Sequence, residues 1–277
     1  MLELLELIKI IILSVVQGIT EWLPISSTGH MKLINELMPL QLNEAFVKMF
    51  FVVVQFGSIL AVLLLYFNKL NPFSWRKSAS EKRQTWLLWS KVLVATVPTL
   101  LFGVALDDLM EAHLSTPFFI AVMLIVYGVG FIWLESSAPS RHAKKVNDLN
   151  DISYVQAFYM GLFQSLALFP GTSRSGATIM GGLILGFSRF VATEFSFFMS
   201  IPVMFGASSL KLGKYVLTGN FTSSEWIYLL TGMLVAFIVS IIVIKLLLGF
   251  LKRNDFKGFG YYRIVLGIVV LLYFYLF

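Results

Sequence analysis

Two short polar stretches of the sequence, 17–30 and 164–178, interrupt otherwise apolar runs and contain residues that could do chemistry. In the first stretch, Gln17 and Glu21 are four residues apart and would share one face of a helix. A carboxylate inside hydrocarbon costs several kcal/mol unless it is paired, solvated or functional. The position of Glu21 therefore indicates a site rather than a packing residue.

The first stretch also has the residues of a helix break. Pro24 cannot continue a helix, and it is followed by three hydroxyl residues that are natural N-caps for a second helix starting near Gly29, namely Ser26, Ser27 and Thr28. The free N–H groups of such a helix carry partial positive charge and favour an anion. His30, on the first turn, is a candidate acid or base.

The second stretch repeats this break and adds an arginine. It reads Pro170-Gly171-Thr172-Ser173-Arg174-Ser175-Gly176-Ala177-Thr178. A guanidinium at membrane depth is rare, and with hydroxyl groups and flexible glycines around it the pattern predicts a cradle for phosphate oxygens. Three alternatives stay open. Arg174 could form a structural ion pair with Glu21, the serines could serve only as helix caps, and His30 could be structural.

The elements that position these stretches are membrane helices. The chain has 277 residues, of which 58% are hydrophobic and 13% are charged. Its apolar runs are long enough to cross about 30 Å of hydrocarbon. We therefore predict an all-α polytopic membrane protein with about six full transmembrane helices and two re-entrant broken-helix segments. The predicted spans are 46–67, 87–106, 117–135, 195–213, 226–248 and 259–277.

Charge in the links predicts the topology. The link 68–91 and the link before the last span are rich in Lys and Arg, as is 136–150, and all three are expected to face the cytoplasm. Acidic residues without basic ones, Asp107, Asp108 and Glu111, mark the opposite side. Both termini are then predicted to be extracytoplasmic. Arg189 and Glu194 are expected to form an interfacial ion pair.

The two stretches also predict an internal repeat within one membrane domain, 1–277. A shift of 147 residues places Gln17 on Gln164 and Ser26 on Ser173. The repeat halves are approximately 1–135 and 150–277, joined by the basic link 136–150. Because the first break is expected to enter from outside and the second from the cytoplasm, the halves would form an inverted-topology repeat.

The motifs resemble those of the bacterial undecaprenyl-diphosphate phosphatase family, also described as bacitracin-resistance proteins. The matching residues are the Gln17–Glu21 element, then Ser27-Thr28-Gly29-His30, then the run from Pro170 to Thr178. The resemblance covers almost the whole chain. It implies an enzyme that removes the terminal phosphate of undecaprenyl diphosphate, regenerates the lipid carrier for cell-wall synthesis and confers bacitracin resistance.

The resemblance has further implications for location and ligands. It implies a bacterial inner-membrane protein whose site opens towards the periplasmic or outer face, which uses a divalent cation, Mg²⁺ or Ca²⁺, and which forms homodimers. Family members carry Glu or Gln at the first acidic position. Because Gln17 removes one anionic metal ligand here, metal binding would depend more on Glu21 and on the diphosphate itself.

Phosphoanhydride hydrolysis requires an in-line nucleophile and neutralisation of charge on the transferring phosphoryl group. We expect Arg174 to hold the terminal phosphate while Ser27 attacks, activated by His30, with Glu21 orienting His30 or binding the metal. Water or His30 itself are alternative nucleophiles. The expected substrate-binding residues are Ser26, Thr28, Gly171, Thr172, Ser173, Ser175, Gly176 and Thr178.

A lipid-phosphate transporter or flippase is the rival prediction, because broken helices in inverted repeats are common in transporters. Nucleic acid is not an expected partner. The net charge of +6 resides mostly in short links between apolar runs and forms no basic stripe with interleaved aromatic residues.

Overall fold

The protein is a helical bundle in the computed structural model, which describes residues 2–114, 116–137, 146–217 and 221–276, without the side chains of 2, 104, 106–113 and 276. No β-strand is formed within these ranges, although 146 and 187 make an isolated bridge. The helices are α1 (Leu2–Thr20), α2 (Ser27–Leu37), α3 (Glu44–Leu65), α4 (Phe67–Leu70), α5 (Ala79–Leu114), α6 (Pro117–Ser136), α7 (Tyr154–Ser165), α8 (Arg174–Ile184), α9 (Arg189–Leu217), α10 (Ser223–Leu251) and α11 (Lys257–Leu276).

Six of these helices are long and apolar enough to cross a membrane, which confirms the predicted multi-pass, all-α class. They are α3, α5, α6, α9, α10 and α11. The helix α5 continues to Leu114, beyond the predicted end of the second span at 106. No Pro or Gly lies in 107–113, so nothing interrupts the helix where the sequence becomes polar. The side chains of Asp107, Asp108 and Glu111, and the basic residues Arg141, Lys144 and Lys145, lie outside the described part.

Two antiparallel helix pairs pack closely within the bundle. Along α6 and α11, a Cβ on Gly128 would lie 2.7 Å from the carbonyl oxygen of Gly260, so the small residues permit a close approach of the backbones. Along α3 and α9, the Ser208 hydroxyl donates to the carbonyl of Val52 at 3.2 Å. Close contact in both pairs fixes the frame around the two breaks.

Two parallel pairs attach the broken segments to this frame. The start of α1 lies beside the start of α10, where Tyr228 donates to the carbonyl of Glu3 at 3.3 Å. The start of α7 lies beside the first half of α5, where the hydroxyls of Ser90 and Tyr154 are 2.8 Å apart. The same relation therefore recurs in both parts of the chain.

Each broken segment returns to the end of the bundle at which it begins. The link after α2 comes back to α1, where Lys9 donates to the carbonyl of Pro39 at 2.7 Å. Gln156 on the first turn of α7 donates to the carbonyl of Leu185, just after α8, at 3.3 Å. The inverted-topology repeat and its halves stay a prediction, and these contacts are its geometric basis.

The predicted ion pair between Arg189 and Glu194 is wrong. Arg189 instead pairs with Glu135 through two contacts of 2.9 and 2.6 Å, and Glu194 pairs with Lys69 at 2.8 Å. Positions five apart are about 140° apart around a helix at 3.6 residues per turn, so the two side chains face different neighbours. Both observed pairs join the end of one helix to the start of another.

Candidate active site

The two breaks have the same local geometry. Ser26 is the N-cap of α2 with φ 74°, and Ser173 is the N-cap of α8 with φ 72°. Their hydroxyls accept from the N–H groups of Gly29 at 3.4 Å and Gly176 at 3.1 Å. Among described residues, these are the two non-glycine positions with positive φ. Both serines therefore cap their helices as predicted, and both are held in a strained conformation that is typical of functional sites.

Glu21 joins the two breaks. Its Oε2 accepts from the amide nitrogen of Gln17 at 2.9 Å and from the hydroxyl of Ser27 at 2.7 Å. Its Oε1 accepts from Nη2 of Arg174 at 3.1 Å. The structure thus brings together the carboxylate, the candidate nucleophile and the candidate phosphate ligand that the sequence singled out separately.

Arg174 is a buried cation with further fixed contacts. Its Nη1 donates to the carbonyl of Ser196 at 2.9 Å, and its guanidinium lies 5.6 Å from the ring centroid of Trp22. Its Nε has no hydrogen-bond partner among the described residues. The ion pair with Glu21 that the sequence left open as an alternative is formed, and one donor of the guanidinium stays unpaired within the described residues.

His30 is not hydrogen-bonded to Ser27. Its Nδ1 lies 2.7 Å from the carbonyl of Ser26, and its Nε2 lies 2.7 Å from the hydroxyl of Tyr262, whose ring stacks on the imidazole. A carbonyl can only accept, so Nδ1 carries a proton and donates to Ser26, while Nε2 and the Tyr262 hydroxyl form a second hydrogen bond. In this arrangement Glu21, rather than His30, accepts the hydrogen bond of Ser27.

A cavity of about 540 Å³ opens beside the breaks. Seven of the predicted site residues line it, namely Glu21, Ser26, Ser27, Thr28, Gly171, Ser173 and Arg174. It is bounded on another side by apolar residues of α3 and α9, including Phe51, Val52, Val203 and Met204, and the lysines Lys32, Lys48 and Lys211 also border it. With four cations and one carboxylate in its lining, the cavity favours an anionic head group attached to an apolar chain.

Six predicted site residues lie behind the lining rather than in it, namely Gln17, His30, Thr172, Ser175, Gly176 and Thr178. Ser175 donates to the backbone carbonyls of Glu21 and Leu23, both at 3.0 Å. Thr178 donates to the carbonyl of Arg174 at 2.9 Å. The Ser175 hydroxyl thus joins the second break to the first, and the Thr178 hydroxyl is bonded to the backbone of Arg174.

The residues offer few ligands to a metal. Within the described ranges, no group of three or more His, Cys, Asp or Glu could hold a metal ion. Glu21 is the one carboxylate in the lining, and the buried Oε1 of Gln17 has no hydrogen-bond partner in the described part of the chain. This donor set fits a divalent cation when phosphate oxygens of the ligand supply the rest of the coordination.

Sequence reasoning missed Arg263 and Tyr262 on α11, and Ser196 on α9. Arg263 is fully buried and contacts the backbone of both breaks. An arginine within an apolar span is a functional signal by itself, so Arg263 was detectable. Tyr262 and Ser196 had no such signal, because their importance comes from distant contacts.

Fold and site together define an integral membrane protein with a cavity for a phosphate-bearing amphiphile. The chain belongs to the family described as Bacitracin resistance protein BacA, whose sequence profile matches residues 10–269. The predicted family is thereby confirmed.

Individual relatives match over nearly their whole length. A protein of Enterococcus faecalis named undecaprenyl-diphosphatase is 55% identical over 266 residues, 96% of each chain. Proteins with the same name from Streptococcus thermophilus and Desulfitobacterium hafniense are 53% and 54% identical, over 98% and 99% of this chain and 94% and 98% of theirs. The rival prediction of a transporter or flippase is not supported by these comparisons.

Proposed function

We propose that the protein is an undecaprenyl-diphosphatase, which hydrolyses undecaprenyl diphosphate to undecaprenyl phosphate and inorganic phosphate and thereby confers bacitracin resistance. The observation that carries this proposal is the junction of Glu21, Ser27 and Arg174 in the wall of one cavity. The names of relatives that match almost the entire chain support it.

The ligand fits the two walls of the cavity. The terminal phosphate meets Arg174 and the N–H groups at the start of α8, where charge-assisted contacts and the helix dipole favour a dianion. The prenyl chain extends along the apolar side chains between α3 and α9, and so remains close to lipid. A soluble phosphate ester would leave that apolar wall exposed to water.

Ser27 is the proposed nucleophile and Glu21 its proton acceptor. A phosphate in the cavity offers Arg174 a doubly charged partner, which frees one oxygen of Glu21. Ser27 Oγ then forms a bond to the terminal phosphorus, its proton passes to Glu21, and the bond to the lipid monophosphate breaks. Water next attacks the phosphoserine, the bond from phosphorus to Oγ breaks, and Oγ regains a proton from Glu21. Direct attack by water, with Glu21 as base, or by His30 uses the same phosphate-holding groups.

A divalent cation, Mg²⁺ or Ca²⁺, is part of the proposal. Glu21 and the unpaired Oε1 of Gln17 would hold it together with the diphosphate. Its contribution is to neutralise charge on the phosphoryl oxygens. His30 and Tyr262 hold the carbonyl of Ser26, which keeps the start of α2 directed at the cavity.

The location of the site follows from the charge pattern. We place the protein in the inner membrane, with 68–91 and 136–150 in the cytoplasm, both termini outside and the cavity open to the outer face. Lys48 and Lys211 lie towards the ends of α3 and α9 remote from the Lys69–Glu194 pair, which agrees with an outward opening. A homodimer is proposed on family resemblance alone.

Phosphate release tests the function directly. Purified protein in detergent is expected to release inorganic phosphate from a C55 polyprenyl diphosphate, and EDTA is expected to suppress the release. Transport requires sealed vesicles, so turnover in detergent separates an enzyme from a flippase. Absence of phosphate release by folded protein supplied with Mg²⁺ or Ca²⁺ would overturn the proposal.

A further inference from the structure

Arg263 lies in the middle of the molecule with an exposed fraction of 0%. Its guanidinium contacts five backbone carbonyls in three segments. Nη1 donates to Pro24 at 2.9 Å in the first break, and Nη2 donates to Gly171 at 2.8 Å and Thr172 at 3.0 Å in the second. Nε and Nη2 also reach carbonyls of α6, at Leu124 (3.3 Å) and Met123 (3.4 Å). One side chain thus bridges the backbones of both breaks.

Carbonyl dipoles are the partners of this cation in the described structure, where no carboxylate pairs with Arg263. Its face lies 5.4 Å from the ring centroid of Tyr127, a second uncharged partner. A buried charge without a counter-charge is costly, and it persists only where the surroundings require it. Where the two breaks meet, Arg174 and Arg263 face the single carboxylate Glu21, which leaves one positive charge in excess there, in addition to the three lysines that border the cavity.

The contacts of Arg263 fall just before the functional residues of each break. Pro24 precedes the strained cap Ser26 by two residues, and Gly171 and Thr172 precede the strained cap Ser173. Because strained conformations need surrounding contacts to persist, the guanidinium fixes where the two helix N-termini start relative to one another. A planar fork can span both loops, whereas the single ammonium of lysine cannot.

We propose that Arg263 is a positioning residue for the phosphate site, which holds the two breaks in register and supplies the excess positive charge that a phosphate dianion balances. This inference rests on the proposed function for its substrate. The binding measurement, which uses inorganic phosphate as probe, does not depend on the proposed function.

The test compares Arg263→Lys and Arg263→Gln in the full chain purified in detergent. Lysine keeps the charge but loses the fork, so kcat should fall about 100-fold while KM and stabilisation by inorganic phosphate stay close to those of the unsubstituted protein. Glutamine removes the charge, so kcat should fall, KM should rise, and the rise in unfolding temperature caused by phosphate should disappear. The matched control is Arg189→Lys. It alters the ion pair with Glu135, which lies outside the cavity, and should leave kcat and KM unchanged.

Normal kcat, KM and phosphate stabilisation in folded Arg263→Gln protein would overturn the proposal, because a purely structural arginine would lower only stability. Should both variants fail to fold, Tyr127→Leu removes the ring beside the guanidinium and keeps every charge. It should lower kcat about tenfold, and unchanged kinetics would overturn the proposal as well. If the unsubstituted protein does not hydrolyse polyprenyl diphosphate, loss of phosphate stabilisation in Arg263→Gln still supports the role of Arg263 while the proposed function fails.

Discussion

The ion pair between Glu21 and Arg174 can be tested by a double-mutant cycle with Glu21→Gln and Arg174→Gln. The exposed fractions of the two side chains are 4% and 11%, so either single change leaves a buried charge without its partner. Such a loss costs about 3–5 kcal/mol, which corresponds to a drop of roughly 10 °C in the unfolding midpoint. The double variant has neither charge. Its unfolding midpoint should therefore fall by much less than the sum of the drops in the two single variants.

Activity should behave differently from stability in this cycle. If Glu21 accepts the proton of Ser27 and Arg174 holds the phosphate, each single variant and the double variant should all lose about 100-fold to 10,000-fold in kcat. Phosphate release and thermal unfolding are measured on the same detergent-purified samples. A cycle of Arg189→Gln and Glu135→Gln, at a pair with contacts of 2.9 and 2.6 Å, serves as control and should change stability alone. Recovery of both stability and turnover in the Glu21/Arg174 double variant would show that the pair merely fastens the two breaks together.

Three further variants address single roles. Ser27→Ala should lower phosphate release about 1000-fold, whereas a loss of only a few-fold would transfer the nucleophile's role to water or His30. Gly171→Ala places a Cβ 2.6 Å from the carbonyl oxygen of Ile120 at a φ of 90°, so the unfolding midpoint and kcat should both drop. Gly213→Ala is the control, because its Cβ meets nothing within 4 Å. Gln17→Glu sets a second carboxylate against Glu21 and should strengthen apparent Mg²⁺ affinity about tenfold in turnover assays; an unchanged cation dependence would place position 17 outside the metal environment.

The fold class was predictable because hydropathy acts over whole segments. Long runs of apolar residues are stable in lipid, so all six spans follow from composition, with starts that differ from the observed ones by up to eight residues (87 against Ala79). The caps Ser26 and Ser173 were also predictable, since a proline followed by hydroxyl residues determines local backbone geometry. The sequence predicted the second membrane span, and α5 extends beyond it to Leu114 because no Pro or Gly interrupts the helix there.

The candidate site was predictable in its members and less so in their contacts. Glu21, Ser27 and Arg174 stand out as polar groups in apolar surroundings, and the structure joins them. The partner of His30 is Tyr262, which lies 232 positions later in the chain and has no distinguishing local pattern. His30 is not hydrogen-bonded to Ser27 in this structure, and its role in activating Ser27 stays a prediction. Long-range packing, rather than spacing along α2, decides which hydroxyl the imidazole meets.

The contact between Arg263 and Pro24 joins an early part of the chain to a part that is synthesised much later. The two residues are separated by 239 positions, and chains grow at about 5–20 residues per second. The first break therefore exists for roughly 12 to 48 s before the side chain that will hold its carbonyl has been made. During that interval water or the insertion machinery must solvate the exposed backbone of the first break, since lipid cannot. The proposed phosphate site would be completed only when the last helix enters the bundle, so we expect a chain that ends before α11 to lack phosphatase activity.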